Sequence, residues 1–182
     1  MYVLRKTQFG NPILRTPARR LSADEVRTDT IQQLIHDMYT FLDRHPKYGV
    51  GIAAQQLDVP LAVSVIDIKP TDYRPDVVPA RLTIINPEIV RYYGRKTGMW
   101  EGCISFGTST VNFPYAQTQR HAKIKLRYLN EQGEQCEQDF DGTLAHVIQH
   151  ETDHLNGILF VDRVKDSTTY MMKSEYIKHH QH

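Results

Sequence analysis

One segment near the C-terminus constrains the fold more than any other, because its pattern predicts a mostly buried helix that carries two histidines on one face. Apolar residues recur at near-helical spacing over residues 144–155, and Asn156-Gly157 follows as a helix stop. His150 and His154 lie four positions apart. At about 100° per residue, they are separated by only about 40° around the helix axis. The rest of the chain has to pack around this helix.

The two histidines indicate a metal site. A metal ion held by both imidazoles would have Glu151 on the adjoining flank of the helix, where its carboxylate can act as a base without being a ligand. That is the arrangement of metal-assisted hydrolysis. The alternative is chance, since histidine and glutamate are common and a short pattern of this kind also arises on exposed helices. The motif alone leaves both interpretations open.

A catalytic metal would need a third protein ligand, because an open hydrolytic site normally has three ligands and a water. The distant downstream candidates are Glu175, His179 and His180, in a weakly patterned tail that is otherwise expected to be solvated. Upstream, Cys103 lies beside a glycine in the segment Glu101–Ser105, and a thiolate is a strong metal ligand. Cys103 is therefore the better candidate.

The remaining patterns predict a single domain over residues 1–182. An apolar stripe with a period of three to four residues predicts a long helix over residues 28–44, capped by Thr28 or Asp29. Strands and a hairpin return are expected over four further stretches: 61–68, 81–85, 123–128 and 134–140. The strands do not alternate regularly with helices, so the predicted class is α+β, with antiparallel sheets packed around the histidine-bearing helix.

Composition excludes several classes of function. The formal net charge is +1 and the charges are interspersed, which argues against nucleic acid as a partner. No apolar run is long enough for a signal peptide or a membrane span, so we expect a cytoplasmic protein without a membrane partner. A reducing compartment disfavours a disulfide between Cys103 and Cys136, and Cys136 has no partner pattern around it.

A glycine-containing segment, Gly49–Gln56, follows the long helix and consists of small or apolar residues until two amides. It is not a dinucleotide-binding loop, because it follows a helix instead of a strand and lacks the third glycine. Glycine permits close approach of the backbone to another group. We therefore expect this segment to approach a ligand or substrate, with a side-chain amide at its end.

Three motifs in this order resemble the peptide deformylase family: GxGxAAxQ at Gly49–Gln56, EGCxS at Glu101–Ser105 and HExDH at His150–His154. The resemblance extends to further short segments, namely Gly10–Arg15, Asn86-Pro87, Leu155–Gly157, Leu159-Phe160 and Asp162-Arg163. It covers nearly the whole chain. Each motif alone is weak to moderate, whereas three in order at fitting separations are highly specific.

The resemblance implies an enzyme that removes the N-formyl group from the formylmethionine of newly made polypeptides and releases formate. Its partner would be the N-formylmethionyl nascent peptide, met at the ribosome, and the enzyme would be a monomer. The implied ligands are Cys103, His150 and His154, with water in the fourth position. The implied metal is Fe(II), which Zn(II), Ni(II) or Co(II) readily replaces.

The resemblance also implies catalytic roles. Glu151 would take a proton from the attacking water and later return it. The Gln56 side-chain amide and the Ile104 backbone N–H would donate to the oxyanion of the tetrahedral intermediate. A catalytically dead relic would be expected to have lost Glu151 or Gln56, because only the chemistry requires them, and both are present.

Substrate contacts are implied at seven positions, partly by main-chain pairing and partly by an apolar methionine pocket: Gly49, Val50, Gly51, Met99, Gly102, His146 and Val147. His146 is a departure, because the family usually has an aliphatic residue or arginine there, and we expect it at the pocket rim or on the helix surface. The stretch 106–119 is longer than usual, which predicts a modified loop over the cleft, with Arg120 before the next strand.

Two alternatives to a deformylase are retained at this point. One is a related metallohydrolase or a metallopeptidase that cleaves internal peptide bonds, which would share the metal centre and need a longer open cleft. The other is a non-catalytic protein, either a formyl-peptide-binding relic or a structural metal site. A structural zinc site would be closed by a fourth protein ligand, and none is suggested near these motifs.

Overall fold

The computed structural model describes residues 2–45, 49–70, 76–107 and 112–180. The described part contains four α-helices, α1 (Ala23–Val26), α2 (Asp29–Arg44), α3 (Gly142–Leu155) and α4 (Lys173–His180). Its six strands are β1 (Gly51–Ala53), β2 (Val63–Ile68), β3 (Ala80–Gly102), β4 (Pro114–Leu129), β5 (Gln135–Asp141) and β6 (Met171–Met172). Short 3₁₀ turns connect them, including Pro12–Arg15, Ala54–Leu57, Ile104–Phe106 and Phe160–Arg163.

The strands pair antiparallel in the order β1-β2-β3-β4-β5, and β6 pairs with the first two residues of β4, Pro114 and Tyr115. Register shifts interrupt the long β3–β4 ladder between Ile85 and Glu88, between Ile89 and Arg91, and between Tyr93 and Lys96. Such irregularities bend a strand and increase its twist. Helix α3 packs against each of the strands β1 to β5. The result is the α+β arrangement of antiparallel strands around the histidine-bearing helix.

Strand β2 separates two apolar clusters, and every one of its residues is buried. Val63 and Val65 pack in the cluster that contains the apolar face of α2, whereas Ile66 and Ile68 pack in the cluster that contains Ile148 of α3. Side chains of a strand alternate between its two faces. The complete burial of β2 therefore reflects a strand covered by a helix on each side.

Helix α2 begins after Thr28 and ends at Arg44, which agrees with the predicted range 28–44. Its stripe of apolar side chains is buried as expected: Ile31, Leu34, Ile35, Met38, Tyr39 and Leu42. The predicted hairpin over residues 123–140 is also present, with Ile124, Leu126 and Tyr128 buried on one face of β4. Strong local periodicity therefore predicted these elements well.

Two predictions of extent were wrong. The strand expected over residues 81–85 continues to Gly102, through a stretch whose polar and exposed residues hide the pattern. The stretch 106–119 is not a single long loop, because β4 begins at Pro114 and Arg120 lies within that strand. Residues 108–111 of this stretch lie outside the described residues. No helix in the described ranges is long and apolar enough to cross a membrane.

Candidate metal centre and active site

The structure brings Cys103, His150 and His154 together. Cys103 follows the end of β3, directly before the turn Ile104–Phe106, and both histidines lie on one face of α3. Their potential ligand atoms all lie within 4.8 Å of one another, and the Cys103 Sγ is 3.2 Å from the His154 Nε2. Cys103 precedes His150 by 47 positions and His154 by 51 in the sequence. Only the fold brings the cysteine to the two histidines.

This donor set fits a divalent transition metal. One thiolate and two imidazoles suit Fe(II), Zn(II), Co(II) and Ni(II), and three ligands leave a further coordination position open. The alternative ligands of the tail lie elsewhere, since Glu175 pairs with Lys178 and His179 on the surface of α4. The side chain of His180 lies outside the described part of the chain.

Glu101 orients His150. Its Oε2 accepts a hydrogen bond from the His150 Nδ1 at 2.8 Å, which leaves the Nε2 of that ring to face Cys103 and His154. Metal-binding histidines commonly donate their second nitrogen to a carboxylate in this way. In the metal-free protein, burial lowers the pKa of His154, and the positive charges of His150 and Arg120 lower it further, so this ring is neutral. Burial also acts to lower the pKa of His150, but hydrogen bonds to Cys103 and Glu101 raise it well above its usual value. Metal binding would therefore release the His150 proton.

A buried ion-pair network supports Glu101. Arg120 on β4 donates to Glu101 at 3.1 Å and to Asp153 at 2.7 Å, and Arg163 donates to Asp153 at 2.6 Å. Arg120 is only 4% exposed. Sequence reasoning assigned no role to Glu101, Asp153 or Arg163 and placed Arg120 before the strand. The sequence did contain a signal for this network, because charged residues within motifs that are otherwise buried are rarely unpaired.

Glu151 is 3% exposed and lies against the backbone of Gly51. Burial raises the pKa of Glu151 to about 7, although the positive charges of His150 and Arg120 act to lower it. Its Oε2 has no hydrogen-bond partner among the described residues. A carboxylate with a pKa near neutrality and one unengaged oxygen is suited to accept and release a proton.

Gln56 presents its side-chain amide to the same site. Its Nε2 lies 3.2 Å from the Cys103 Sγ and 3.3 Å from the Ser105 Oγ, while its Oε1 accepts the N–H of Ala53 at 2.9 Å. The bond to Ala53 fixes which end of the amide faces the cysteine. The amide N–H groups are therefore directed toward the donor set of Cys103, His150 and His154.

Ile104 supplies a second candidate donor. It is the first residue of the turn Ile104–Phe106, directly after Cys103. The N–H at the start of a helical turn has no acceptor within that turn. The N-terminal segment holds these two motifs in place, because the N–H of Thr7 donates to the Gln56 carbonyl at 2.9 Å and that of Phe9 donates to the Ser105 carbonyl at 2.6 Å.

Val50 and Gly51, two of the predicted backbone contacts, differ in whether their backbone is already paired within the sheet. The Val50 carbonyl accepts the N–H of Asp67 at 2.8 Å, so it is engaged with β2. Alternate residues of a strand direct their backbone groups to opposite sides, so the N–H and carbonyl of Gly51 face away from β2. Strand β1 is at the edge of the sheet. Gly51 therefore lies on an edge that an extended peptide can join, and Gly49 precedes it.

Apolar side chains gather on the α3 side of the sheet. Val50 packs in the same cluster as Val147, which is 8% exposed. Met99 lies two residues before Glu101 on β3, so both side chains point to the same face, toward α3. Gly102 ends β3 beneath the ring of Tyr115, and a Cβ there would overlap that ring. The structure thus explains why a glycine stands beside Cys103.

His146 is not on the helix surface. It is 6% exposed, and its Nε2 lies 3.3 Å from the Glu101 Oε2. The imidazole therefore faces the carboxylate that orients His150. Sequence reasoning had placed it at a pocket rim or in solvent, because helical periodicity identifies a face without saying what lies opposite.

Comparisons with known proteins agree with this geometry. Residues 3–170 match a family model described as polypeptide deformylase. The chain is 39% identical over 170 residues to a peptide deformylase of Aquifex aeolicus, covering 93% of this chain and 92% of that protein. It is 38% identical over 182 residues to "Peptide deformylase 2" of Xanthomonas axonopodis pv. citri, covering 100% of this chain and 99% of that protein.

Solved structures are similar throughout the fold. A class I type b peptide deformylase from Acinetobacter baumannii, solved with Met-Ala-Ser bound, superposes with a TM-score of 0.81 at 34% identity, covering 90% of this chain and 99% of that one. A peptide deformylase from Synechococcus elongatus in complex with actinonin gives a TM-score of 0.76 at 34% identity, covering 96% and 86%.

Proposed function

Since the chain belongs to the polypeptide deformylase family, we propose that Cys103, His150 and His154 are the metal ligands of its active site and that Glu151 is its catalytic base. The enzyme removes the N-formyl group from nascent peptides. The alternatives of an internal metallopeptidase and a non-catalytic relic are not favoured by the comparisons. The observation that carries the assignment is the convergence of the three donors beside Glu151 and Gln56.

A divalent metal held by these ligands would supply Lewis acidity for hydrolysis of the formyl group. The chain supplies the proton transfers. Glu151 accepts a proton from the attacking water and gives it to the departing amine, for which burial and a pKa near neutrality suit it. As negative charge develops on the formyl oxygen, the Gln56 amide and the Ile104 N–H donate to it from fixed positions.

The substrate would bind as an extended strand along β1, through the outward-facing backbone of Gly51 and with Gly49 and Gly102 at either side. Pairing through the main chain reads no side chains, so it tolerates varied nascent sequences. The methionine side chain would enter the apolar region where Val50 packs with Val147, and Met99 would border it from the same face of β3 as Glu101. His146 faces Glu101 at 3.3 Å.

We extend the proposal to the cellular context. Residues 1–182 act as a single catalytic domain, supported by the continuous sheet that joins both apolar clusters. Fe(II) is the metal used in the cell, with Zn(II), Ni(II) or Co(II) as substitutes. The enzyme works as a cytoplasmic monomer on nascent chains at the ribosome. Two free cysteines support a reducing compartment.

Formate release from formyl-Met peptides tests the proposed active site. Protein loaded anaerobically with iron is expected to release formate, and Glu151→Ala is expected to lose activity by several orders of magnitude while keeping its metal. Absence of formate release from the wild type would overturn the proposal. Full activity in Glu151→Ala would remove Glu151 from the role of base.

Metal analysis tests the ligand set separately. Cys103→Ala is expected to lose stoichiometric metal binding. Cys136→Ser is the matched control, because Cys136 lies on β5 and contacts the Glu134 carbonyl at 3.8 Å. It should keep both metal and activity. Full occupancy in Cys103→Ala would instead favour the tail residues Glu175 and His179 as ligands.

A further inference from the structure

His146 lies one helical turn before His150 on α3, and its Nε2 approaches the same carboxylate oxygen that His150 contacts. The distances to the Glu101 Oε2 are 3.3 Å from His146 and 2.8 Å from His150. Residues four apart on a helix are neighbours on one face. Two imidazoles of α3 therefore share one oxygen of a glutamate on β3.

The third contact of Glu101 comes from a neighbouring strand. Arg120 on β4 donates to both carboxylate oxygens at 3.1 to 3.3 Å. The same guanidinium is also bound to Asp153 at 2.7 Å, so its position is set by two carboxylates at once. The terminal torsion of a glutamate is intrinsically broad. Glu101 therefore depends on its neighbours for a defined orientation.

The Nε2 of His146 is not hydrogen-bonded to any other group among the described residues. The atom is buried, and no well-aligned hydrogen-bond partner for it exists among the described residues. Buried polar atoms nearly always have a polar partner, and the Glu101 Oε2 at 3.3 Å is the carboxylate oxygen that this nitrogen approaches, without the alignment of a hydrogen bond. The tautomer that carries a proton on Nε2 would face this oxygen from beside His150 and restrict rotation of the carboxylate away from that ring.

We propose that His146 is a positioning residue of the metal centre, which holds the Glu101 carboxylate against the Nδ1 of His150 and so fixes the direction of the His150 Nε2. This inference rests on the proposed function, because it requires His150 to be a ligand. It differs from the role expected from sequence, since His146 acts through Glu101 without touching the substrate.

Cobalt-loaded protein provides the test. Release of Co(II) to an excess of chelator is followed by loss of the visible cobalt absorption, whose band positions report ligand geometry. Changes to groups that orient a ligand typically cost about 10- to 100-fold in metal affinity. We expect His146→Leu to release Co(II) about tenfold faster than the wild type and to shift the visible bands.

Conservative variants separate positioning from packing. The amide nitrogen of His146→Gln can reach the place of the Nε2, so this variant should remain within about threefold of the wild type, whereas the shorter His146→Asn should behave like leucine. Thr152→Val is the matched control. Thr152 is 6% exposed on the same helix and its Oγ1 has no hydrogen-bond partner in the described structure, so the change should leave release and bands unaltered.

A double variant tests the route through Glu101. In a Glu101→Gln background, His146→Leu should add little to the release rate, because the carboxylate that it positions is gone. An undiminished effect in that background would overturn the inference. So would unchanged release and unchanged bands in both His146→Leu and His146→Asn, provided that the wild type binds Co(II). If the wild type binds no Co(II), the proposed metal centre fails, and this inference with it.

Discussion

Gly51 and Glu151 lie in direct contact: a Cβ on Gly51 would stand 2.7 Å from the Glu151 Oε1 and 3.1 Å from its Cδ. The second glycine of the segment Gly49–Gln56 is therefore required by a side chain of the protein. Sequence reasoning had expected a close approach at this segment to a ligand or substrate. The approach is to the proposed catalytic base, which places that base beside the edge where the peptide would bind.

Gly51→Ala should lower activity more than stability. The added methyl group would displace the carboxylate of Glu151 and leave the backbone in place, because the clash is with a side chain. We expect kcat to fall at least about tenfold, since misplacement by about 1 Å can cost about 100-fold. Metal content and thermal unfolding should change little.

Gly49→Ala provides the comparison for this prediction. A Cβ on Gly49 would meet only ordinary contacts, 3.6 Å from the Gly51 carbonyl oxygen and 3.9 Å from a methyl of Ile104. It should lose clearly less activity than Gly51→Ala. Equal losses in the two variants would show that the contact with Glu151 is not the cause.

Gln56→Ala should reduce kcat by about 100-fold, the usual consequence of removing one oxyanion donor. Some stability should also be lost, because the N–H of Ala53 would lose its acceptor. Gln55→Ala is the matched control. Gln55 donates to the carbonyls of Ile13 and Thr16 at 3.1 and 2.5 Å, so its loss should affect stability without comparable loss of kcat. Similar kcat values for Gln56→Ala and the wild type would refute the oxyanion assignment.

Glu151→Gln should stabilise the metal-free protein at alkaline pH. Burial raises the pKa of Glu151 from 4.5 to about 7, so folding favours the protonated form. The stabilisation is complete below pH 4.5 and is lost as the pH rises toward 7. A neutral glutamine avoids this loss, which amounts to at most about 3 kcal/mol at 1.4 kcal/mol per pKa unit.

Chemical denaturation across pH measures this effect. The free energies of unfolding of wild type and Glu151→Gln should coincide near pH 4 and diverge by pH 8, with the variant more stable. Parallel curves over this range would contradict a raised pKa. Such a result would mean that the catalytic carboxylate carries no cost to stability.

Arg120→Leu should be the most destabilising change in the ion-pair network. It would remove the positive charge that pairs with the buried carboxylates of Glu101 and Asp153. Breaking a buried ion pair commonly costs about 3–5 kcal/mol of stability. Arg163→Leu is the matched control, because the Arg163 side chain is 43% exposed and water can replace part of its interaction. In urea unfolding, the free energy of unfolding of Arg120→Leu should be well below that of Arg163→Leu. The reverse order would mean that Asp153 depends chiefly on Arg163.

The parts of the fold with strong periodicity were predictable from the sequence. Helix α2 and the second half of β4 follow from apolar spacing, because α2 buries a continuous stripe and Ile124, Leu126 and Tyr128 bury one face of β4. The continuation of β3 to Gly102 was not predictable in this way. Its pairing with β4 supplies the hydrogen bonds, while polar side chains and register shifts remove the alternation that would reveal a strand.

The candidate chemical groups Cys103, His150, Glu151 and Gln56 could be identified from the sequence, because they stand in motifs whose spacing is local. How these groups are held depends on contacts between elements. Periodicity tells which face of an element a residue occupies, but it does not tell which residue lies opposite on another element. The contacts of Glu101 with His146 and His150, and of Gly51 with Glu151, join parts of the chain far apart in sequence, and they exist only once α3 is packed into the sheet.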